Sequence, residues 1–113
     1  MKSKITITTN GEVVKRMATI KDDVITYKET PNINVELVIS DNSLLLKKSG
    51  AINYQYTYVQ GEKSMLLYIV ELSGNKFNGS SEVTTNKYIK NDNLINLNCL
   101  VNDEIMDIIW EVN

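Results

Sequence analysis

The sequence contains no histidine, a single cysteine and a single proline. The absence of histidine removes the commonest general base, the usual zinc ligand and every catalytic triad built on an imidazole. The lone thiol, Cys99, excludes an internal disulfide, and its place in an apolar alternation indicates a small buried side chain rather than a nucleophile. We therefore predict no catalytic residue, no metal site and no cofactor.

Clustered positive charge is also absent. The formal net charge is −2, the isoelectric point is about 5.1, and the 12 lysine and arginine residues are scattered. Nucleic acids and anionic membranes need clustered cations for tight binding, so neither is an expected partner. No apolar run is long enough to span a bilayer, and the first residues lack the apolar core of a signal peptide. The expected location is the cytoplasm.

Two pairs of adjacent carboxylates are the remaining candidates for chemistry. Asp22-Asp23 and Asp103-Glu104 both fall in predicted turns, where an aspartate side chain accepts hydrogen bonds from nearby amides. Neither pair has the ligand spacing or the central glycine of a calcium loop. An enzymatic function would depend on these carboxylates and one thiol alone, so we predict that the protein is not an enzyme.

The clearest structural pattern lies between Ile33 and Val70, where four predicted strands are joined by three tight turns. Apolar residues alternate along this stretch with the period of two that is typical of a half-buried strand. The four predicted strands are Ile33–Ile39, Leu44–Lys48, Tyr54–Val59 and Met65–Val70.

Strands are predicted on both sides of this central segment. They are Ile5–Thr9, Glu12–Ile20, Val24–Glu29, Glu82–Ile89, Leu94–Val101 and Ile105–Val112. Asn10-Gly11 predicts a type I′ hairpin turn, because both residues tolerate a positive φ. Residues 76–81 are rich in Asn, Gly and Ser, which favours a loop or a weak, bulged strand. A short helix between residues 10 and 25 is the one helical alternative that the pattern leaves open.

These signals predict an all-β fold built as a single domain over residues 1–113. Hydrophobic residues make up 42% of the chain and charged residues 23%, which is typical of a globular domain. Short connections favour antiparallel neighbours, and closing the sheet removes its exposed edges. We therefore predict one antiparallel up-and-down β-barrel, calycin- or lipocalin-like, with about eight to ten strands.

Several of these segments together resemble the YwiB-like family of uncharacterised small bacterial proteins, which have a calycin-like β-barrel. The resemblance covers about residues 13 to 112. It is carried by Val24–Glu29, the strand through Ile39, Leu44–Ala51, the strand to Val59, Gly61, Tyr68, Leu94–Val101 and Ile105–Val112. The resemblance implies the barrel fold and implies no catalytic residue.

Two non-enzymatic functions follow as hypotheses. The first is binding of a small apolar ligand in the barrel interior, entered at one mouth. The predicted lining residues are Tyr54, Tyr56, Tyr58, Leu67, Ile69, Leu97, Met106, Ile108 and Trp110. The alternative is a protein-interaction module or a homodimer that uses a sheet face or an open edge near residues 71–81.

Overall fold

The computed structural model describes residues 1–113, which form ten strands and no helix. The strands are β1 Lys2–Thr9, β2 Glu12–Lys21, β3 Val24–Thr30, β4 Ile33–Ile39, β5 Ser43–Gly50, β6 Ile52–Val59, β7 Lys63–Leu72, β8 Asn75–Lys90, β9 Leu94–Val101 and β10 Glu104–Val112. Accordingly, no helix is present that could cross a membrane.

Every strand pairs antiparallel with its neighbours in the chain, and β1 closes the barrel by pairing with β10. The main-chain N–H of Asn113 also donates to the Lys4 carbonyl, 2.9 Å away. The turns before the even-numbered strands lie at one end of the barrel, called the upper end here, and the other turns and both chain termini lie at the lower end. This arrangement confirms the predicted all-β up-and-down barrel.

The β1–β2 turn has the conformation that the Asn10-Gly11 pair predicts. Asn10 has a φ of 48° and Gly11 a φ of 85°, and the adjoining residues Thr9 and Glu12 are paired. Positive φ at both central residues matches the right-handed twist of the flanking strands. The helical alternative between residues 10 and 25 is wrong, because β2 and the start of β3 occupy that stretch.

Of the two alternatives for residues 76–81, the strand is confirmed and the loop is wrong, and the predicted bulge does not fall within these residues. These residues belong to β8, which runs for 16 residues and pairs with β7 from Leu72↔Asn75 to Lys63↔Thr84. The register shift in β8 lies further along, between Thr85 and Lys87. A long partner strand therefore holds this polar segment in an extended conformation that its own composition does not favour.

Alternation along the strands separates an apolar interior from a polar exterior. On β9, for example, Ile95, Leu97 and Cys99 are buried, whereas Asn96 and Asn98 lie on the outside. The inward side chains of all ten strands form one core cluster. Small barrels are filled in this way by their own side chains.

One junction in the barrel wall is much shorter than the others. Strands β6 and β7 are joined at two residue pairs near the upper end, and below them no further pair connects the two strands. The pairs are Ile52 with Val70 and Asn53 with Ile69. Across the gap below, the Tyr56 hydroxyl and the Ser64 Oγ lie 2.6 Å apart. We call this junction the β6–β7 seam.

Candidate functional site

The structure brings most of the predicted lining residues into the interior. Tyr56, Tyr58, Leu97 and Trp110 are buried, and Tyr54, Met106 and Ile108 are partly buried and pack against the core. Their contact with a ligand stays a prediction.

Leu67 and Ile69 do not line the interior, and this part of the prediction is wrong. Their side chains are 71% and 41% exposed on the outer face of β7. In an antiparallel pair, residues directly opposite each other point to the same side of the sheet. The pairing of Asn53 with Ile69 therefore places Ile69 on the outer face, because Asn53 alternates with the inward Tyr54. Leu66 is the buried residue of β7.

The inward tyrosines of β6 include one ring pair in contact and two hydroxyls whose pKa is raised by burial. The rings of Tyr56 and Tyr58 are 4.7 Å apart at an interplanar angle of 68°, an edge-to-face contact. Burial, aided by the Glu29 charge, raises the pKa of Tyr54 to about 12. Burial also raises the pKa of Tyr58. Both hydroxyls therefore keep their protons at neutral pH.

Cys99 is fully buried, as its apolar surroundings in the sequence predict. Burial, with a smaller contribution from the Asp107 carboxylate, raises the pKa of the thiol to about 11. The thiolate is the reactive form of cysteine, and it is scarce at neutral pH in such a site.

The concave features of the molecule lie away from the centre of the barrel. One, of about 720 Å³ at the lower end, is lined by Asp41, Lys90, Asn91 and Asp92. Another is a groove of about 930 Å³ on the outer face of β2 to β6, lined by ten polar or charged residues and five apolar ones. The Lys47 ammonium and Glu36 carboxylate, both in this groove, are 3.3 Å apart and exposed. An exposed pair of this kind contributes little to binding or stability.

A third concavity is at the upper end, where it opens between β1, β2 and β3. It has a volume of about 220 Å³ and combines apolar with charged and hydroxyl side chains. Its lining residues are Ile7, Thr9, Glu12, Val14, Arg16, Tyr27 and Glu29. We call it the upper-mouth pocket.

Tyr27 forms the floor of this pocket, and a hydrogen bond connects it to the centre of the barrel. The Trp110 Nε1–H donates to the Tyr27 hydroxyl, 3.0 Å away, in a buried contact between β10 and β3. Burial is the main reason why the pKa of Tyr27 is raised to about 12, and the hydrogen bond from Trp110 acts in the opposite direction. The hydroxyl thus accepts one hydrogen bond and retains its own proton.

The charged residues of the pocket come from β2 and β3, and Lys48 of β5 lies beside them. The Arg16 Nε and Nη2 donate to the main-chain oxygen of Glu29 at 3.2 and 3.1 Å. The Glu29 carboxylate accepts instead from the Lys48 Nζ, 2.9 Å away. The Lys48 ammonium also lies 5.8 Å from the centre of the Tyr54 ring, within cation–π range.

Sequence reasoning missed these residues, although a signal for them was present. Arg16 alternates with Val14, Ala18 and Ile20, so a β2 strand places its guanidinium on the apolar, inward face. In β3, Glu29 follows the buried Tyr27 at the same spacing. A charged residue in phase with an inward apolar series is the pattern that marks this site.

The fold and the pocket together define a small, closed, ten-stranded β-barrel protein with a polar site at one mouth. Over residues 1–93 the sequence matches the family described as Domain of unknown function (DUF1934), and the chain belongs to this family.

A solved structure supports the same fold. The ywiB protein from Bacillus subtilis is similar over 99% of this chain and 93% of its own, with a TM-score of 0.60 and 15% sequence identity. No curated protein matches the chain in sequence. The resemblance to the YwiB-like family that the sequence predicts is thus confirmed.

Proposed function

We propose that this protein is a non-enzymatic, cytoplasmic binding protein that takes a small, mainly apolar ligand at the upper-mouth pocket. The proposal moves the predicted ligand from the centre of the barrel to its upper end. The observation that carries it is the pocket of about 220 Å³, where Ile7 and Val14 lie beside a few polar groups. Ligand sites commonly combine apolar walls with a small number of orienting polar groups.

The adjacent residues Val13 and Val14 offer a matched test of this site. Val14 lines the pocket, whereas Val13 is 58% exposed on the outer face. We expect 1-hexanol to change the fluorescence of Trp110, the only tryptophan, because its indole contacts the pocket floor at Tyr27. Val14→Phe should fill the pocket and abolish this response, and Val13→Phe should preserve it.

Circular dichroism would establish that both variants remain folded. An unchanged hexanol response in Val14→Phe would reject the pocket as the site. Absence of any response in the unmodified protein, with no co-purified small molecule in native mass spectrometry, would reject the proposed function.

A homodimer is the second candidate, and the β7–β8 hairpin favours it. Residues 72–81 project beyond the last pairs that β7 makes with β6 and that β8 makes with β9. Leu72 and Phe77 in this projecting tip are 59% and 54% exposed. An unpaired strand edge beside exposed apolar side chains is a surface that tends to associate.

A second copy of the chain is the occupant that fits this edge. Two identical edges that pair antiparallel about a two-fold axis satisfy the main-chain groups of both copies at once. An axis near Phe77 centres the pairing on the free part of β8 and keeps it clear of the β9–β10 turn, where Asn102 already bonds to Glu82.

Analytical ultracentrifugation over a range of concentrations tests the homodimer. We expect dimers that weaken in Phe77→Ser, because the substitution removes apolar area at the centre of the contact. Ile105→Ser is the control, since Ile105 is an exposed apolar residue on a different strand, and it should leave association unchanged. A protein that stays monomeric at high concentration would exclude this candidate.

A further inference from the structure

The guanidinium of Arg16 is a half-buried charge in the upper-mouth pocket, and it has no opposite partner. Its hydrogen bonds all go to main-chain carbonyls, two to Glu29 and a third from Nη1 to Lys15 at 2.9 Å. None of the four ion pairs in the molecule includes Arg16. A half-buried charge without a counter-ion is costly, so the site favours a ligand that supplies one.

The two carboxylates that line the pocket do not supply this counter-charge. The side chain of Glu29 is paired with Lys48, whose ammonium is 2.9 Å from Oε1. Glu12 is the first residue of β2 and is exposed to solvent, where its charge is hydrated and screened. Arg16 and Glu29 in the pocket, together with Lys48 beside it, therefore carry a net positive charge.

Tyr27 adds a second donor on the same side. It is 8% exposed, lines the pocket, and has one hydrogen bond, in which its oxygen accepts from Trp110. The hydroxyl proton is therefore free to donate to an acceptor in the pocket. A guanidinium and a buried phenol provide charge-assisted and neutral hydrogen bonds suited to one carboxylate.

We propose that the upper-mouth pocket binds a small monocarboxylate whose carboxylate is held by Arg16 and Tyr27 and whose apolar body lies against Ile7 and Val14. This inference rests on the proposed ligand-binding function and names the class of ligand. The position of Glu12 at the rim disfavours ligands that carry a second negative charge near the opening.

Three probes with the same six-carbon chain separate the possibilities. They are hexanoate, its neutral methyl ester and hexylamine, each followed by the fluorescence of Trp110. We expect hexanoate to bind about tenfold or more tightly than the ester, because hydrogen bonds to a charged group are the stronger ones. Hexylamine should bind more weakly than the ester, because it brings a second positive charge.

Arg16→Gln should remove the preference for hexanoate and leave binding of the ester unchanged. Lys15→Gln is the matched control, because Lys15 precedes Arg16 but is exposed on the outer face, and it should keep the full preference. Arg16→Lys retains the charge without the planar fork, so it should keep part of the preference. This variant also tests the role of the charge if Arg16→Gln fails to fold.

The outcomes separate this inference from the proposed function. Equal binding of hexanoate and its ester, or tighter binding of hexylamine, would overturn the carboxylate assignment and leave the pocket as a ligand site. Failure of all three probes to bind would overturn both. A preference that survives Arg16→Gln would show that Arg16 is not the group that recognises the anion.

Discussion

Gly50 turns the chain from β5 into β6 with a φ of +109°. A Cβ at this position would lie 2.1 Å from the carbonyl oxygen of Asn32. That oxygen is held in place because it accepts a hydrogen bond from the Ala51 N–H at 2.9 Å. Both the backbone conformation and the close approach therefore require glycine here.

A pair of glycine substitutions separates these two requirements. Gly61 has a φ of +87° and open space around its Cα, so Gly61→Ala should cost about 1–2 kcal/mol of unfolding free energy from backbone strain. Gly50→Ala adds the clash with Asn32 and should cost about 4 kcal/mol or more. Urea denaturation measures both values. Equal losses in the two variants would contradict the role of the Asn32 contact.

At the scale of single residues, alternation in the sequence predicted two faces for each strand but did not decide which face is inside. On β9 the outer residues are asparagines, so Leu97 and its neighbours were placed correctly. On β7 both faces are apolar, and Leu66 and Leu67 are equivalent by composition. Only the register of β7 with its neighbours β6 and β8 distinguishes them, and a shift of one residue exchanges the faces.

Among the strands, the lower half of the β6–β7 seam is expected to be the least stable part of the barrel wall, because it lacks main-chain hydrogen bonds. The Glu71 N–H donates to the Ala51 carbonyl at 2.8 Å, which shows that odd-numbered positions of this ladder carry the hydrogen bonds between the two strands. Below Asn53 and Ile69 those positions have no partner strand. On its other side β6 pairs with β5 from Tyr54 to Val59, and by alternation the main-chain groups of its even-numbered residues face β5.

Amide hydrogen exchange should reveal this difference within one strand. We expect the amides of Gln55 and Thr57, which face the seam, to exchange about tenfold or more faster than those of Tyr56 and Tyr58, which face β5. Two-dimensional NMR after transfer to deuterium oxide measures all four. Similar protection of the two sets would mean that β6 and β7 are paired below Asn53 in solution.

The existence of most strands could be predicted from local patterns, but the length of β8 could not. Asn, Gly and Ser dominate its first half and individually disfavour a strand. A Cβ on Gly79 would lie 2.2 Å from the ring of Tyr68 on β7, so the tyrosine ring covers the glycine directly. Pairing with β7 and this covering ring determine the conformation, and neither is visible in residues 76–81 alone.

At the scale of the whole molecule, the barrel is closed by pairing between β1 and β10, the two strands furthest apart in sequence. The pairing of β1 with β10 runs from Ile5↔Val112 to Thr9↔Ile108. The sequence predicted closure from the number of strands and the need to remove edges. The upper-mouth pocket could not be predicted in the same way, because it requires β1, β2 and β3 to be placed around one another.

A circular permutant tests the importance of this closure. Joining Asn113 to Met1 with a short glycine-serine linker and opening the chain in the exposed turn at residues 91–93 keeps every strand pair. We expect the permutant to retain the circular dichroism spectrum and to lose no more than about 2 kcal/mol of stability. Opening the same joined chain inside β5, between Leu44 and Leu45, should prevent folding.

Loss of structure in the first permutant would mean that the barrel depends on the free position of its termini. Folding of the second would mean that an uninterrupted β5 is not needed for the core.

The β6–β7 seam is the junction at which the closed barrel wall has the fewest hydrogen-bonded residue pairs. The first and last strands meet in a ladder of five residue pairs. The sparsest junction, with two pairs, lies instead between β6 and β7, which the peptide chain itself connects through residues 60–62. Covalent bonds thus span the place where non-covalent ones are fewest. The barrel wall is therefore most easily opened between β6 and β7. Cleavage of the peptide chain within residues 60–62 would leave only two residue pairs to hold these strands together, and we expect the sheet to open there.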